Sequence, residues 1–555
     1  LLIEILYRQD SASNAPKLEP EGKKMIDPRK TQLWLVGGGI ASMAAAVFAI
    51  RDAAVPGKNV HILEQLDIAG GSLDGSPAGP SHWGYVTRGG RELDENTYQT
   101  LWNLLESIPS LEDPNVSVRQ EFLAFNQRVR TDARARLIDK NHRILDASAF
   151  GFNARDRIEL MRVLTLPEHA LGTRRIDEMF SEHFLRTNFW QMWRTMFAFQ
   201  NWHSTIELRR YFLRLVQQFP QMASMSGVRR TKYNQYDSIV RPLQKWLMDR
   251  DVEVRFGTRV TDVDFDQSDP ARRRAIRLHL QTSQGSSSIE LGEQDVTMLT
   301  LGSITADTTL GGNDTVPELI RNRRGGDWSL WEAFAGKAKD FGRPDAFFNV
   351  DENKWESFTL TMHRATLLKR IVEYSKNEPG TGAMMSFVDS SWLMSIVVPY
   401  QPHFAEMSKD TYTLWGYGLF IDKKGDYVEK PMARCTGKDI LIELIHQLGF
   451  EDIMEEVLAS TDVTSVMLPY ASAMFACRVP EDRPCVIPKG AKNFAFLGEW
   501  VELPEDIVYT VEYSVHTGMH AVYNLFGVDK RIPLPAYHDL LDPKAGFGAL
   551  ESIFK

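Results

Sequence analysis

Residues 31–50 read TQLWLVGGGIASMAAAVFAI, and residues 59–65 read NVHILEQ. The first stretch opens on a short apolar strand, breaks at three consecutive glycines and continues as an Ala-rich helix; the second is a strand that ends on an acid. Strand, glycine turn, helix and strand in this order form a dinucleotide-binding unit. Gly37 permits the tight turn, and Gly39 lets the backbone approach a pyrophosphate at the amino terminus of the helix that starts at Ile40. Ser42 takes the third small position, where helix packs on strand. Glu64 follows Gly39 by 25 residues, close to the offset of about 20 expected for an acid that accepts from ribose hydroxyls. An acid there favours NAD or FAD over NADP.

The same stretch carries a competing reading. Leu33 to Ile50 is an uncharged run of 18 residues between Arg29-Lys30 and Arg51, just long enough for a membrane span. A span has no use for three glycines in a row, and the run starts too far in for a signal peptide. The chain therefore reads as soluble. Its first residue is Leu1 and not Met, so the translated start is expected ahead of it.

Two later segments repeat the pattern. VTMLTLGSIT (296–305) reads as a strand ending in Gly-Ser, and in NFAFLGEWVELPEDIVYTVEYSVHTGMHAVYNLF (493–526) Phe494–Gly498 reads as a strand and Thr510–Leu525 as a helix. Strand, glycine and helix recurring at the start, middle and end of a chain resembles flavoproteins of the glutathione-reductase type. That resemblance implies an α/β fold: a discontinuous Rossmann-like FAD-binding domain with an inserted substrate-binding domain and a helical lid and tail. The plainer alternative is that these are further strands of some α/β sheet. The expected division is an arm at 1–30, FAD-binding parts at 31–110, 241–310 and 431–525, a mainly helical substrate-lid region at 111–240, a substrate-binding region at 311–430 and a tail at 526–555.

Composition narrows the classes. The 555 residues are 43% hydrophobic and 25% charged, values of ordinary globular chains, which excludes disordered and collagen-like proteins. The length alone suggests three or four domains, or fewer with long insertions. With 64 basic against 73 acidic residues the net charge is -9, so no global field draws the chain to nucleic acid. Cys435, Cys477 and Cys485 lack CxxC spacing and are too few to staple the chain, which fits a reducing, cytoplasmic setting and supports no metal site.

Other segments read more blandly. In NFWQMWRTMFAFQNWHSTIELRRY (188–211), Phe189, Trp193, Met196 and Phe197 fall at helical offsets, a stripe that is more often core than pocket. Asp251 to Phe265 alternates like a strand. The basic clusters Arg272–Arg274 and Arg321, Arg323, Arg324 read as solvated loops, with anion or lipid-headgroup contact as the alternative. The tail, with Pro533 and Pro535 before an apolar stretch to Phe554, reads either as an amphipathic peripheral membrane contact or as a docked end.

The sequences EQLDIAGGSLDG (64–75), RGGRE (88–92), the aromatic stretch above, KYNQYDS (232–238), QPHF (401–404) and PEDIVYTVEYSV (504–515) together resemble the oleate hydratases, also called myosin-cross-reactive antigens. The resemblance runs from residue 31 to about 525. It implies a commonly homodimeric, FAD-binding lyase that adds water to the cis-9 double bond of unsaturated fatty acids, giving 10-hydroxy fatty acids. Hydrating an isolated alkene needs a proton donor at one carbon and a held water at the other. Glu92 matches the family's catalytic glutamate, which polarises the water, and Tyr211 matches the tyrosine given as proton donor; sequence leaves the two roles interchangeable. Without the resemblance, Glu92 reads as an ion-pair partner of Arg88 or Arg91, and Tyr211 as a half-buried helix residue. Gln235 and His403 match substrate-pocket positions.

For FAD the candidates are Gly37, Gly39, Ser42 and Glu64 in the first unit, Gly71, Ser72 and Arg88 after it, and Ser303 and Thr510 in the later pieces. Gly70 and Gly71 read as a second cofactor-facing turn, Glu499 and Glu512 as structural. One departure concerns the fatty-acid carboxylate: the resemblance implies that in many relatives a threonine and an asparagine bind it with the histidine, where SIVVPYQPHF (395–404) has Val397 and Pro399 and keeps His403. The competing functions are a flavin-dependent lipid isomerase or oxidoreductase, and a non-catalytic lipid-binding flavoprotein.

Overall fold

The computed structural model describes residues 26–554 apart from 74, 78–83, 91, 324, 383, 505 and 534–542. Residues 1–25 of the expected arm, together with Arg91 and Arg324, lie outside the described residues.

β1 (Leu33–Val36) is buried along its whole length, and Gly37 follows at φ +90°, a left-handed turn that favours glycine. α1 (Ile40–Arg51) is buried from Ile40 to Ala49, as expected of a helix that is apolar all round. β2 (Val60–Leu63), β3 (Glu253–Arg255), β4 (Val296–Thr300) and β5 (Phe494–Leu497) complete a parallel sheet in the order β5-β4-β1-β2-β3. Leu35 lies between Ile62 and Met298, and Met298 pairs onward with Ala495. The uncharged run of the sequence is therefore a strand, a turn and a helix. Among the described residues no helix is long and apolar enough to cross a membrane.

The segment expected as one strand over 251–265 is two. Gly257, at φ +59°, turns the chain after β3, and Arg259–Asp266 pairs antiparallel with Arg274–Thr282, which pairs with Gly285–Glu290. Arg273, expected on a solvated loop, is 7% exposed. Asp340 takes its guanidinium at 2.6 Å, and the Lys489 carbonyl accepts from it as well. Arg321 and Arg323 are exposed.

α2 (Asn188–Phe197) and α3 (Thr205–Arg214) pack their aromatic faces together, with Trp193 meeting Phe212 edge-on at 4.8 Å. α4 (Val511–Phe526) lies against α1. A Cβ at Gly518 would stand 2.8 Å from the Ala41 carbonyl oxygen and 3.1 Å from Ala45 N. The alanines of α1 and this glycine thus allow a close helix crossing over the parallel sheet.

A second sheet has seven strands, ordered Thr309–Gly311, Thr461–Leu468, Trp355–Met362, Tyr412–Gly418, Met394–Val397, Met385–Phe387 and Leu137–Ile138. Its pairs are antiparallel except the last, which is parallel. Thr461–Leu468 falls in the stretch expected for the third FAD-binding part; the structure pairs it with Trp355–Met362 instead. The tail ends in a helix, Pro543–Phe554, docked through Ala549 and Ile553, with Leu550 and Phe554 exposed.

Candidate functional site

Two cavities lie between these sheets and helices. The first, of about 560 Å³, opens at the carboxyl ends of β1, β2 and β4, the place where open parallel sheets take ligands. Gly37, Gly38 and Gly39 form one wall. A Cβ on Gly38 would stand 2.9 Å from Glu64 Oε2 and 3.2 Å from its Cβ, so glycine at this position leaves room for the Glu64 side chain. Gly39 precedes α1 without a side-chain cap, and no acid occupies the first turn. The amino terminus of α1 therefore presents bare N–H groups and positive dipole to the cleft.

The second glycine turn backs the first. Gly70 N donates to the Gly38 carbonyl at 2.8 Å, and a Cβ on Gly71 would lie 3.2 Å from the Gly39 Cα. Arg88 Nη2 donates to the Gly71 carbonyl at 3.1 Å. Arg88, Ser72, Ser303 and Glu64 line the cleft. Glu64 also holds the turn itself, accepting from Gly38 N at 2.6 Å and Leu66 N at 2.8 Å. Backbone without side chains, an uncapped helix and Arg88 beside the turn suit a pyrophosphate.

Two expected cofactor residues sit elsewhere. Ser42 is fully buried beneath the cleft, its Oγ 3.1 Å from Thr300 Oγ1, so it joins helix to strand and touches no cleft surface. Thr510 lines the second cavity, and its hydroxyl caps α4: it accepts from Tyr513 N at 3.1 Å and donates to the Ile507 carbonyl at 3.0 Å. Of the two glutamates read as structural, Glu512 accepts from Thr100 N and Leu101 N and caps helix Gln99–Glu106, whereas Glu499 lines the cleft.

The second cavity, of about 120 Å³, brings together Glu92, Tyr211, Gln235 and His403, residues spread over more than 300 positions of sequence. Strand Leu93–Asp94 pairs antiparallel with Val228–Arg229, and the register that sets Leu93 opposite Arg229 continues to set Glu92 opposite Arg230. Arg230 Nη2 donates to Glu92 Oε1 at 2.8 Å. Arg230 is thus an ion-pair partner of Glu92 among the described residues. The Asn126 amide fixes it by accepting from Arg230 N at 3.1 Å and donating to the Arg230 carbonyl at 2.8 Å. Burial pushes the Glu92 carboxyl above the usual carboxylate range, while Arg230 and Arg136 pull the other way. The carboxyl is therefore more basic than a surface glutamate.

Tyr211 is 1% exposed and meets Phe197, Phe199 and Phe475 edge-on at 5.0, 5.1 and 5.6 Å. Its hydroxyl donates to the Val508 carbonyl at 2.5 Å, and burial raises it well above the ordinary phenol. The aromatic stripe divides: Phe189 and Trp193 belong to the core, whereas Met196 and Phe197 line the cavity. Val397, Pro399 and His403 share its wall. Burial lowers the His403 imidazole to about 4, so it is neutral at pH 7. Trp355, Trp415 and Tyr417 from the second sheet give the opposite side an apolar surface. Sequence reasoning missed these three and Arg230, which lie in no recognisable spacing.

Among the described residues no group of three or more His, Cys, Asp or Glu side chains is placed to hold a metal ion. The three cysteines are free.

A family model, that of the MCRA family, matches residues 30–523. The chain is 37% identical over 551 residues to the oleate hydratase of Streptococcus pyogenes serotype M49 (strain NZ131), covering 95% of this chain and 92% of that one. It is 34% identical over 567 residues to the linoleate hydratase of Lactiplantibacillus plantarum, covering 95% and 99%. Among solved structures, the cyclohexylamine oxidase from Brevibacterium oxydans IH-35A superposes with a TM-score of 0.46 at 14% identity, covering 90% of this chain and 99% of that one.

Proposed function

Because this chain belongs to the MCRA family, we propose that it is a fatty acid hydratase, a hydro-lyase that adds water across the cis-9 double bond of oleate-like acids to give 10-hydroxy acids. The observation that carries the reading is the full-length identity to an oleate and a linoleate hydratase. The convergence of Glu92 and Tyr211 on one mostly apolar cavity supports it.

The chemistry follows from these two groups. As the Tyr211 hydroxyl turns its one proton from the Val508 carbonyl to one alkene carbon, the oxygen of a water held by Glu92 bonds to the other. The water's second proton passes to the Glu92 carboxylate. A proton returned from Glu92 to the Tyr211 phenolate closes the cycle, so one water is added and no electron moves. Burial makes Glu92 a stronger base, and Arg230 keeps it ionised enough to act as one. The tryptophans and tyrosines of the wall exclude bulk water and place an electron-rich surface beside the cationic carbon. Gln235 and His403 orient the acid; with Val397 and Pro399 offering no donor, neutral His403 holds the carboxylate with less charge assistance.

FAD is the cofactor this reading places in the glycine-walled cleft, where Gly37, Gly39, Gly71 and Arg88 would hold its pyrophosphate, Glu64 its ribose, and Ser72 and Ser303 the rest. When bound it supplies a structural and electrostatic partner for the site, since hydration is redox-neutral. A homodimer and a lipid contact through the exposed Leu550 and Phe554 belong to the same reading; light scattering and vesicle flotation test them.

The deciding experiment incubates the protein with reduced FAD and oleate, linoleate or palmitoleate in heavy water. The expected product is heavier by one water and carries non-exchangeable deuterium on carbon. Return of all three acids unchanged overturns the reading.

A further inference from the structure

Among the described residues the Tyr211 hydroxyl has one acceptor, and that acceptor belongs to a loop clamped at both ends. The carbonyl is that of Val508. Two residues earlier Asp506, fully buried, accepts from His516 Nδ1 on α4 at 2.9 Å through Oδ2 and from Ile507 N at 2.8 Å through Oδ1, with Arg214 Nη2 of α3 at 3.7 Å from that same Oδ1. Two residues later Thr510 caps α4 and donates back to the Ile507 carbonyl. Between the clamps stands Tyr509, at φ +64°, a conformation a bulky residue holds only where its surroundings impose it. Tyr211 and Arg214 lie three apart on α3, on one helix face, and both meet this loop.

We propose that Asp506 is a positioning residue for the hydration: by tying the 506–510 loop to His516 and Arg214 it sets where the Val508 carbonyl stands, and so where the Tyr211 hydroxyl points. This inference rests on the hydratase reading. Asp506 lines neither cavity and reaches the Tyr211 hydroxyl through the loop that carries the Val508 carbonyl. Gln235, His403, Trp355 and Trp415 line the cavity from elements outside this loop, so the clamp bears more on the chemical step than on binding.

The test compares Asp506→Asn with the parent protein, loaded with FAD, on oleate. Asn keeps the shape and one acceptor oxygen but loses the charge shared by His516 and Arg214. The expected result is a kcat lower by about 10- to 100-fold, a KM within about twofold of the parent, and unchanged FAD content. A crystal structure of the variant is expected to show the Tyr211 Oη to Val508 O separation lengthened from 2.5 Å. Parent-like kcat, an unmoved hydroxyl, or a loss of kcat that only follows lost FAD overturns the proposal. If Asp506→Asn does not fold, His516→Gln, which keeps one donor, replaces it and is expected to lower kcat several-fold with KM unchanged; parent-like kcat in that variant overturns it equally. A parent that hydrates no acid overturns the hydratase reading instead, and the crystallographic distance then decides the clamp.

Discussion

Arg230 Nη2 donates to Glu92 Oε1 at 2.8 Å across 138 residues of chain, placed there by the short antiparallel ladder that both residues adjoin. Burial raises the Glu92 carboxyl and Arg230 opposes that rise. Removing the cation in Arg230→Met therefore moves the carboxyl further up. A base with a higher pKa needs a higher pH to ionise, so the acid limb of the pH–rate profile is expected to shift towards alkaline pH, with activity at pH 6 falling about tenfold or more relative to pH 8. Kinetics from pH 5 to 9 check it; an unmoved limb takes Glu92 out of the titration.

Tyr211→Phe keeps the ring among its three aromatic neighbours and deletes only the hydroxyl. Turnover is expected to drop by about 10² to 10⁴. The buried Val508 carbonyl also loses its donor, at a cost of about 1–3 kcal/mol in stability. Glu92→Gln should lower turnover as severely while retaining FAD. Steady-state kinetics with flavin absorbance distinguish these outcomes.

Glu356, on strand Trp355–Met362, is fully buried, and neither carboxylate oxygen has a hydrogen-bond partner among the described residues. Burial holds its carboxyl well above the ordinary range, so it is protonated in the folded chain at pH values where the unfolded chain is ionised. The unfolded state then binds fewer protons, and stability falls as pH rises above the unfolded value. Glu356→Gln removes that dependence. Its melting temperature should match the parent near pH 4.5 and exceed it at pH 8, as thermal denaturation at the two pH values will show.

Gly518→Val places side chain where α4 touches α1, with a Cβ 2.8 Å from the Ala41 carbonyl oxygen. Overpacking of this kind costs about 1–3 kcal/mol. Because α1 also carries the glycine turn, the variant should bind FAD more weakly as well as melt earlier. Flavin titration and thermal melts read the two effects.

The parallel sheet was legible because its signals are local: glycine at Gly37, an Ala-rich helix and the acid at Glu64 all fall within one short stretch. The seven-stranded sheet was not. One of its two longest strands, Trp355–Met362, is buried at every residue, so the alternation that marks a half-exposed strand is absent. Arg273 looked solvated because its partner Asp340 lies 67 residues away. In the second cavity, Gln235 and His403 stand in no periodic pattern and came only from the family resemblance. The pairing of Glu92 with Arg230 depends on strand register, which no spacing in the sequence records. Ser42 was legible as a packing residue but not as one hidden behind the turn.

The segment from Gly498 to Val511 faces both cavities: Glu499 and Trp500 look into the glycine-walled cleft, Tyr509 and Thr510 into the cavity with Tyr211. With FAD on one side and the acid on the other, as the proposed function has it, this partition would be a thermodynamic link: whatever coupling free energy it carries from cofactor to acid acts back from acid to cofactor by an equal factor, without a third site or a second subunit.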